Sequence, residues 1–183
     1  IFNDGWSLLY ENNHNQIKKI LNKVNYIYLS HEHPDHFSIN FFKKYSNILI
    51  KKDIKIIFQK TIDKRLESFL KKRFKLNFLI LDDSFNSNSL IKKNNMNKKL
   101  TLFKNSYIDS MLIFESKKFY HINFNDCNFS DSEIEHIKKF TTNKNKKKIL
   151  YIQFSYAAYR SNKKWLKEAA LFKLKHIVQV SRH

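Results

Sequence analysis

The chain has 183 residues, of which 42% are hydrophobic. This is enough for one domain with a single buried core and too few for two full domains. The sequence contains no run of about 18 apolar residues, so it predicts no membrane span. A single cysteine, Cys127, excludes an internal disulfide framework and fits a reducing compartment, the cytoplasm.

Apolar residues in the first half of the chain alternate between helical and strand periods, which is typical of layered α/β proteins. The pattern predicts helices over 16–24, 38–49 and 63–74, and strands over 26–30, 54–59 and 76–81. Ser38 is the predicted N-cap of the second helix. These elements are compatible with a βαβ arrangement.

The second half of the chain has a different pattern. A polar segment rich in asparagine, serine and lysine predicts a loop over 82–99. Short strands are predicted over 100–103, 110–115, 119–124 and 149–154, with a hairpin turn at 116–118. Helices are predicted over 130–140 and 163–178, and Ser130 and Glu133 form a capping box at the start of the first of them.

A histidine-rich segment over 30–37, Ser-His-Glu-His-Pro-Asp-His-Phe, follows the first predicted strand and precedes a capped helix. His31 and His33 are two apart on an extended segment, so both can point the same way and bind one metal ion. A proline then turns the chain, and Asp35 and His36 can reach a second ion. Imidazoles and a carboxylate suit zinc, and also iron or manganese. The alternative is a surface loop rich in histidine by chance, but the flanking elements favour a metal-binding loop.

This segment resembles the His-x-His-x-Asp-His signature of the metallo-β-lactamase superfamily. Segments 5–8, 29–37, 125–127 and 154–157 together are similar to the branch that contains lactonase-like hydrolases and the metallo-β-lactamase-like part of CMP-N-acetylneuraminate hydroxylases. The signature is highly specific for the superfamily, and the other segments are moderately specific for the branch. The resemblance implies an α/β fold, an αββα sandwich with one or two metal ions at one edge, present here as a single partial domain over 1–183.

The resemblance also implies roles for individual residues. His31 and His33 match the ligands of the first ion, and Asp35 and His36 match those of the second. Asp35 is also the expected group to orient or deprotonate the attacking water. Asp126 matches the bridging carboxylate, and its position after a predicted strand supports that match. The alternative for Asp126 is a turn residue that precedes a helix.

Some ligands of the family have no clear counterpart. The early aspartate would lie upstream of the first residue and the late histidine beyond the last, so we expect the chain to be a fragment cut at both ends. A third histidine for the first ion is expected before Asp126, and Asp109 is a possible stand-in. His121 lies mid-strand, where a cross-strand role is favoured. His176 and His183 are poor substitutes for the late histidine.

The sequence therefore predicts a metal-dependent hydrolase that uses a metal-activated water on an ester, lactone or phosphate-type small molecule, with carbohydrate metabolism as one setting. One or two zinc ions are the expected cofactors. The alternative is a non-hydrolytic metallo-β-lactamase-like part of a CMP-sialic acid hydroxylase-like oxygenase or of a nucleotide-sugar-binding protein. The sequence does not indicate an oligomeric state.

The charge of the chain suggests a third class, a basic nuclease or nucleic-acid binder. Lysine and arginine outnumber acidic residues by 35 to 16, for a formal charge of +19. The excess is nearly all lysine, although arginine is the better residue for bidentate phosphate contacts. It accompanies abundant asparagine, isoleucine and phenylalanine, a composition typical of an AT-rich genome. We attribute the charge to composition and expect no nucleic-acid partner.

Overall fold

The computed structural model describes residues 13–33, 36–84, 99–105, 109–152 and 163–181. The chain is a mixed α/β protein, as its sequence pattern predicts. It divides into two compact units, Ile1–Asp82 and Asp83–His183. The predicted sandwich, and with it the single domain over 1–183, stays a prediction.

The first unit alternates helices with strands. Its elements are α1 (His14–Leu21), β1 (Tyr26–Tyr28), α2 (Ile39–Lys51), β2 (Lys55–Gln59), α3 (Arg65–Phe74) and β3 (Phe78–Leu81). The strands form a parallel sheet in the order β1-β2-β3, with Tyr26 opposite Lys55 and Ile56 opposite Phe78. A helix connects each pair of neighbouring strands, so the βαβ arrangement is confirmed.

Side-chain caps set several of these bounds. The Ser38 hydroxyl accepts a hydrogen bond from the amide of Phe41 at 3.2 Å, so the predicted cap of α2 is confirmed. Helix α1 begins two residues before its predicted start, because the Asn13 side chain accepts hydrogen bonds from the amides of Asn15 and Gln16. Strand β1 ends two residues earlier than predicted.

An apolar core holds the helices of the first unit on its sheet. Leu49 of α2, Ile56 of β2 and Leu70 of α3 are each 0% exposed. The central strand β2 has three successive buried apolar residues, Ile56, Ile57 and Phe58. Burial on both faces is typical of a parallel strand covered by helices. This packing fixes the carboxyl ends of the strands, where the histidine-rich segment begins.

The second unit contains β4 (Lys99–Asn105), β5 (Asp109–Glu115), β6 (Phe119–Asn125), α4 (Asp131–Lys138), β7 (Lys147–Ile152) and α5 (Lys163–Ser181). Strands β4, β5 and β6 are antiparallel, and β7 is parallel to β6. The predicted hairpin turn and the capping box of Ser130 and Glu133 are both confirmed. Strand β7 begins two residues earlier than predicted, because Lys147 donates its amide to the carbonyl of Lys118 at 3.0 Å.

Several turns that often contain glycine are made by other residues. Among the described residues, those with a backbone φ between 50° and 53° are Asp53, Lys64, Lys75 and Asn125. This left-handed region disfavours side chains with a Cβ. At Asn125 the pairing between β6 and β7 also shifts, which marks a bulge. A bulge re-aims the chain that follows it, and the next residue is Asp126.

Some predicted features fall outside the described residues. Segments 5–8 and 154–157 are among them, as is most of the predicted loop over 82–99. Near the start of that loop, Asp83 accepts a hydrogen bond from the amide of Lys104 in β4 at 3.0 Å, which ties this residue to the second unit. Within the described ranges, no helix has both the length and the apolar character needed to cross a bilayer.

Candidate metal centre

The histidine loop, residues 31–37, follows β1 at the carboxyl edge of the parallel sheet. The amide of Leu29 donates to the carbonyl of Ile57 at 2.9 Å, which continues the bonding between β1 and β2 beyond the end of β1. In open α/β sheets, ligands bind outside the carboxyl ends of the strands. The fold therefore places the motif at the edge where a binding loop is expected.

The first two histidines of the loop are in direct contact. His31 is 3% exposed, and its Nε2 lies 3.0 Å from Nδ1 of His33. Their rings are nearly perpendicular, at 84°, with centroids 4.5 Å apart. At this distance two ring nitrogens need a proton or a cation between them, because two facing lone pairs repel. The spacing of two residues thus brings these side chains together, as the sequence predicts.

His36 also lies beside His31, and its backbone is hydrogen-bonded to that of His33. The His33 carbonyl accepts hydrogen bonds from the amides of His36 at 2.9 Å and Phe37 at 2.7 Å. The ring of His36 lies 4.2 Å from that of His31, centroid to centroid, and a nitrogen of each lies within 4.8 Å of the other. His31 therefore lies beside both of the other histidines of the loop. His31 is buried, His36 is half-buried and His33 is exposed.

Ser30 belongs to this cluster, although its position in the sequence predicts no role for it. It is buried, and its hydroxyl lies 3.1 Å from Nδ1 of His31. A partner on one imidazole nitrogen fixes the orientation of the ring and directs the other nitrogen to a ligand. The sequence signal was weak, since a serine at the end of an apolar strand is common.

Glu32 connects the loop to the start of α3. Its carboxylate forms an ion pair with the guanidinium of Arg65, the first residue of that helix. Asp63 contacts the same arginine, because its Oδ2 lies 3.9 Å from Nε and its Oδ1 accepts from the Arg65 amide at 3.2 Å. The ion pair between Glu32 and Arg65 joins positions that are distant in sequence, so it depends on the fold and could not be predicted from the sequence.

The predicted carboxylate ligands come from other positions in the sequence. Asp35 lies outside the described residues. Asp126 belongs to the second unit, where it is half-buried and directly follows the bulge at Asn125. Asp109, the possible stand-in, begins β5 and accepts a hydrogen bond from Nδ2 of Asn125 at 3.3 Å. The roles of Asp35, Asp109 and Asp126 as ligands stay predictions.

Histidines elsewhere in the chain have other surroundings. His121 lies in β6 opposite Phe114 of β5, and its Nδ1 is 3.1 Å from the hydroxyl of Tyr151 in β7. The predicted cross-strand role of His121 is therefore confirmed. His176 lies in α5, and His183 lies outside the described residues.

Comparison with known proteins gives a structural similarity only. No protein-family model matches the chain, and no curated protein matches it. Among solved structures, it is similar to the crystal structure of the metallo-β-lactamase fold protein YhfI from Bacillus subtilis, with a TM-score of 0.42 and 17% sequence identity. The match covers 63% of this chain and 46% of that protein, so the chain spans less than half of its length. The functional proposal therefore rests on the site residues.

Proposed function

We propose that this protein is a metal-dependent hydrolase whose histidine loop holds a divalent ion. The observation that carries the proposal is that the buried His31 lies beside two other imidazoles of the loop. Its Nε2 is 3.0 Å from Nδ1 of His33, and its ring centroid is 4.2 Å from that of His36. We assign Asp35 and Asp126 to the same centre on the family resemblance of the sequence alone. Zinc is the expected ion, and iron or manganese would also suit these donors.

The donor set fits such an ion. Zinc binds imidazole nitrogen at about 2.0–2.1 Å, and two such ligands at a tetrahedral angle stand about 3.3 Å apart. The 3.0 Å between His31 and His33 is close to that separation. The Ser30 hydroxyl at the other nitrogen of His31 is the kind of outer contact that metal-binding histidines usually make.

When bound, the ion would lower the pKa of a water and polarise a carbonyl or phosphoryl oxygen. The residues of the chain would position the ion and leave it accessible to substrate. Ser30 orients the buried His31, and the exposed His33 leaves one side of the cluster open to solvent. Asp35 is the proposed group that orients the attacking water or accepts its proton.

The proposed substrate is a small molecule with an ester, lactone or phosphate-type bond, with a carbohydrate derivative as one candidate. We propose no nucleic-acid partner, because the positive charge reflects a lysine-rich composition. These assignments follow from the sequence resemblance and from the chemistry of the donors, since a fold does not fix a substrate.

The test is metal binding and turnover by the purified chain. Metal-free protein is titrated with Zn²⁺ against a chromogenic chelator and assayed on a panel of chromogenic esters, lactones and phosphodiesters. We expect chelator-reversible Zn²⁺ binding with little turnover by this chain alone. Binding should be weakened in His36→Ala and retained in the matched control His121→Ala, which removes an imidazole outside the loop. Equal metal affinity in the wild type and His36→Ala would contradict the proposal.

A further inference from the structure

Helix α3 contacts the histidine loop at two points, one between its first two histidines and one after its third. Arg65 forms an ion pair with Glu32, which lies between His31 and His33. Phe69 packs edge-on against Phe37, the residue after His36, with ring centroids 6.1 Å apart at 86°. Arg65 and Phe69 are four residues apart, so they lie on the same face of α3. One face of one helix therefore contacts the loop before and after the turn.

We propose that Arg65 is a positioning residue for the histidine loop, acting through Glu32 rather than on the ion or the substrate. This inference rests on the proposed function, because it assigns Arg65 to the ordering of the same metal-binding loop. A loop that is ordered in advance loses less conformational entropy when an ion binds, so its affinity is higher. Loss of Arg65 therefore weakens ion binding without removing a ligand.

The surroundings of Arg65 explain why an arginine suits this position. Asp63 accepts a hydrogen bond from the amide of Arg65, and its carboxylate also lies near Nε of the same arginine. The guanidinium is thus positioned between Asp63 at the start of α3 and Glu32. The planar guanidinium can contact two carboxylates at once, whereas an ammonium group is a point charge. Phe37 is 8% exposed and also packs on Phe42 at 5.3 Å, so the apolar contact is fixed to the core of the first unit.

The ion pair should contribute little to global stability. The side chain of Arg65 is 66% exposed and that of Glu32 is 26% exposed. Exposed ion pairs contribute little to the free energy of unfolding because water and salt screen them. A variant of Arg65 should therefore fold normally, and its effect should be confined to the loop.

The first measurement uses metal-free protein. The amides of His36 and Phe37 both donate to the His33 carbonyl, so their hydrogen exchange reports the order of the loop. In Arg65→Gln these two amides should exchange about threefold faster or more, since local opening sets their rate. Arg65→Lys should recover part of the protection. Arg73→Gln, which removes an exposed arginine from the same helix, is the matched control and should leave both rates unchanged.

The second measurement is Zn²⁺ affinity by chelator competition on the same variants. Arg65→Gln should raise the dissociation constant about three- to tenfold, below the range of roughly 10–100-fold for partners that touch a ligand directly. Glu32→Gln should have the same effect, and the double variant should be no weaker than either single one, because both remove one interaction.

The outcomes separate this inference from the proposed function. If the wild type binds Zn²⁺ and Arg65→Gln matches it in affinity and amide exchange, the positioning role is wrong and the metal site stands. If the wild type binds no better than His36→Ala, the metal site is wrong. If the loss of affinity only follows a lower unfolding temperature in metal-free buffer, Arg65 is structural and the inference is overturned.

Discussion

Histidines in two regions of this protein have contrasting environments. In the loop, His31 and His33 direct ring nitrogens at each other over 3.0 Å. In the second unit, His121 directs its Nδ1 at the hydroxyl of Tyr151 over 3.1 Å. A hydroxyl can donate or accept, so it satisfies either form of the ring. Two facing imidazole nitrogens instead need a proton or an ion between them.

The contrast follows from position along a strand. His121 lies within β6, where the register fixes its neighbours as Phe114 and Ile149. The loop begins after the carboxyl end of β1, where the backbone leaves the ladder and can turn back on itself. Side chains two and five positions after the first histidine can then converge on it. Position relative to a strand end is therefore a better guide to a ligand than residue type.

The largest expected difference between the two regions is in metal affinity. His33→Ala should weaken Zn²⁺ binding by at least about 100-fold, more than removal of an outer-shell contact does, and should abolish turnover. His33 is exposed, so its loss should change the free energy of unfolding in metal-free buffer by only about 0.5 kcal/mol or less. Chelator competition and thermal unfolding measure the two effects. A destabilised variant with wild-type turnover per folded molecule would show that the loop is structural.

A smaller effect is expected from the proposed carboxylate ligand. Asp126→Asn keeps the shape of the side chain but removes its charge, and it should weaken Zn²⁺ binding about tenfold because each charged ligand contributes to affinity. Asp109→Asn tests the possible stand-in ligand in the same way, since an amide oxygen can still accept the hydrogen bond from Asn125. Competition titrations on both variants decide between them. If only Asp109→Asn weakens Zn²⁺ binding, Asp109 and not Asp126 is the carboxylate ligand.

A modest loss of stability is expected at the cross-strand site. His121→Ala and Tyr151→Phe should each lower the free energy of unfolding by about 0.2–1 kcal/mol, the range for cross-strand pairs. The double variant should lose less than the sum, because both singles remove the same hydrogen bond. Urea unfolding in metal-free buffer measures this. A change in Zn²⁺ affinity in either variant would contradict the assignment of His121 to the sheet alone.

The smallest expected effect is a pH dependence at His14. Its Nδ1 lies 3.0 Å from the hydroxyl of Tyr45, and partial burial, followed by the charges of Lys18 and Lys44, lowers its pKa. The folded state therefore binds this proton less readily than the unfolded state. The resulting stability is present when the pH is above the unfolded-state pKa of about 6.5. It is lost as the pH falls through the lower pKa of the folded state.

His14→Gln should accordingly flatten the fall in stability on the acid side. Urea unfolding of metal-free protein above and below the unfolded pKa, with the wild type in parallel, measures the difference. A steeper acid dependence in the variant than in the wild type would show that the sign of this effect is wrong.

The sequence predicted the helices and strands well because their apolar periods are clear and their caps are local. Errors of about two residues arose where a contact outside the pattern decides a boundary. Asn13 extends α1 backwards through its side chain, and Lys147 joins β7 through a bond to Lys118. Neither interaction has an apolar signature.

The candidate site was predictable only in part. The spacing of His31, His33 and His36 sufficed to predict that the second and third histidines lie close to the first, because all three belong to one short segment after a strand. The orienting contact of Ser30 and the ion pair of Arg65 with Glu32 could not be predicted, since both depend on how side chains pack in three dimensions. The roles of the carboxylates remain predictions.

The scarcity of glycine in this chain has a consequence for engineering. Asp53 and Lys75 hold left-handed conformations in the turns before β2 and β3, at the amino edge of the sheet. That conformation costs a residue with a Cβ on the order of 1 kcal/mol. Glycine at Lys75 would relieve this strain on the edge opposite the histidine loop. Asparagine tolerates this conformation better, and Asn125 lies beside Asp126. A change at Lys75 could therefore raise thermal stability without altering the candidate site, whereas a change at Asn125 would affect both.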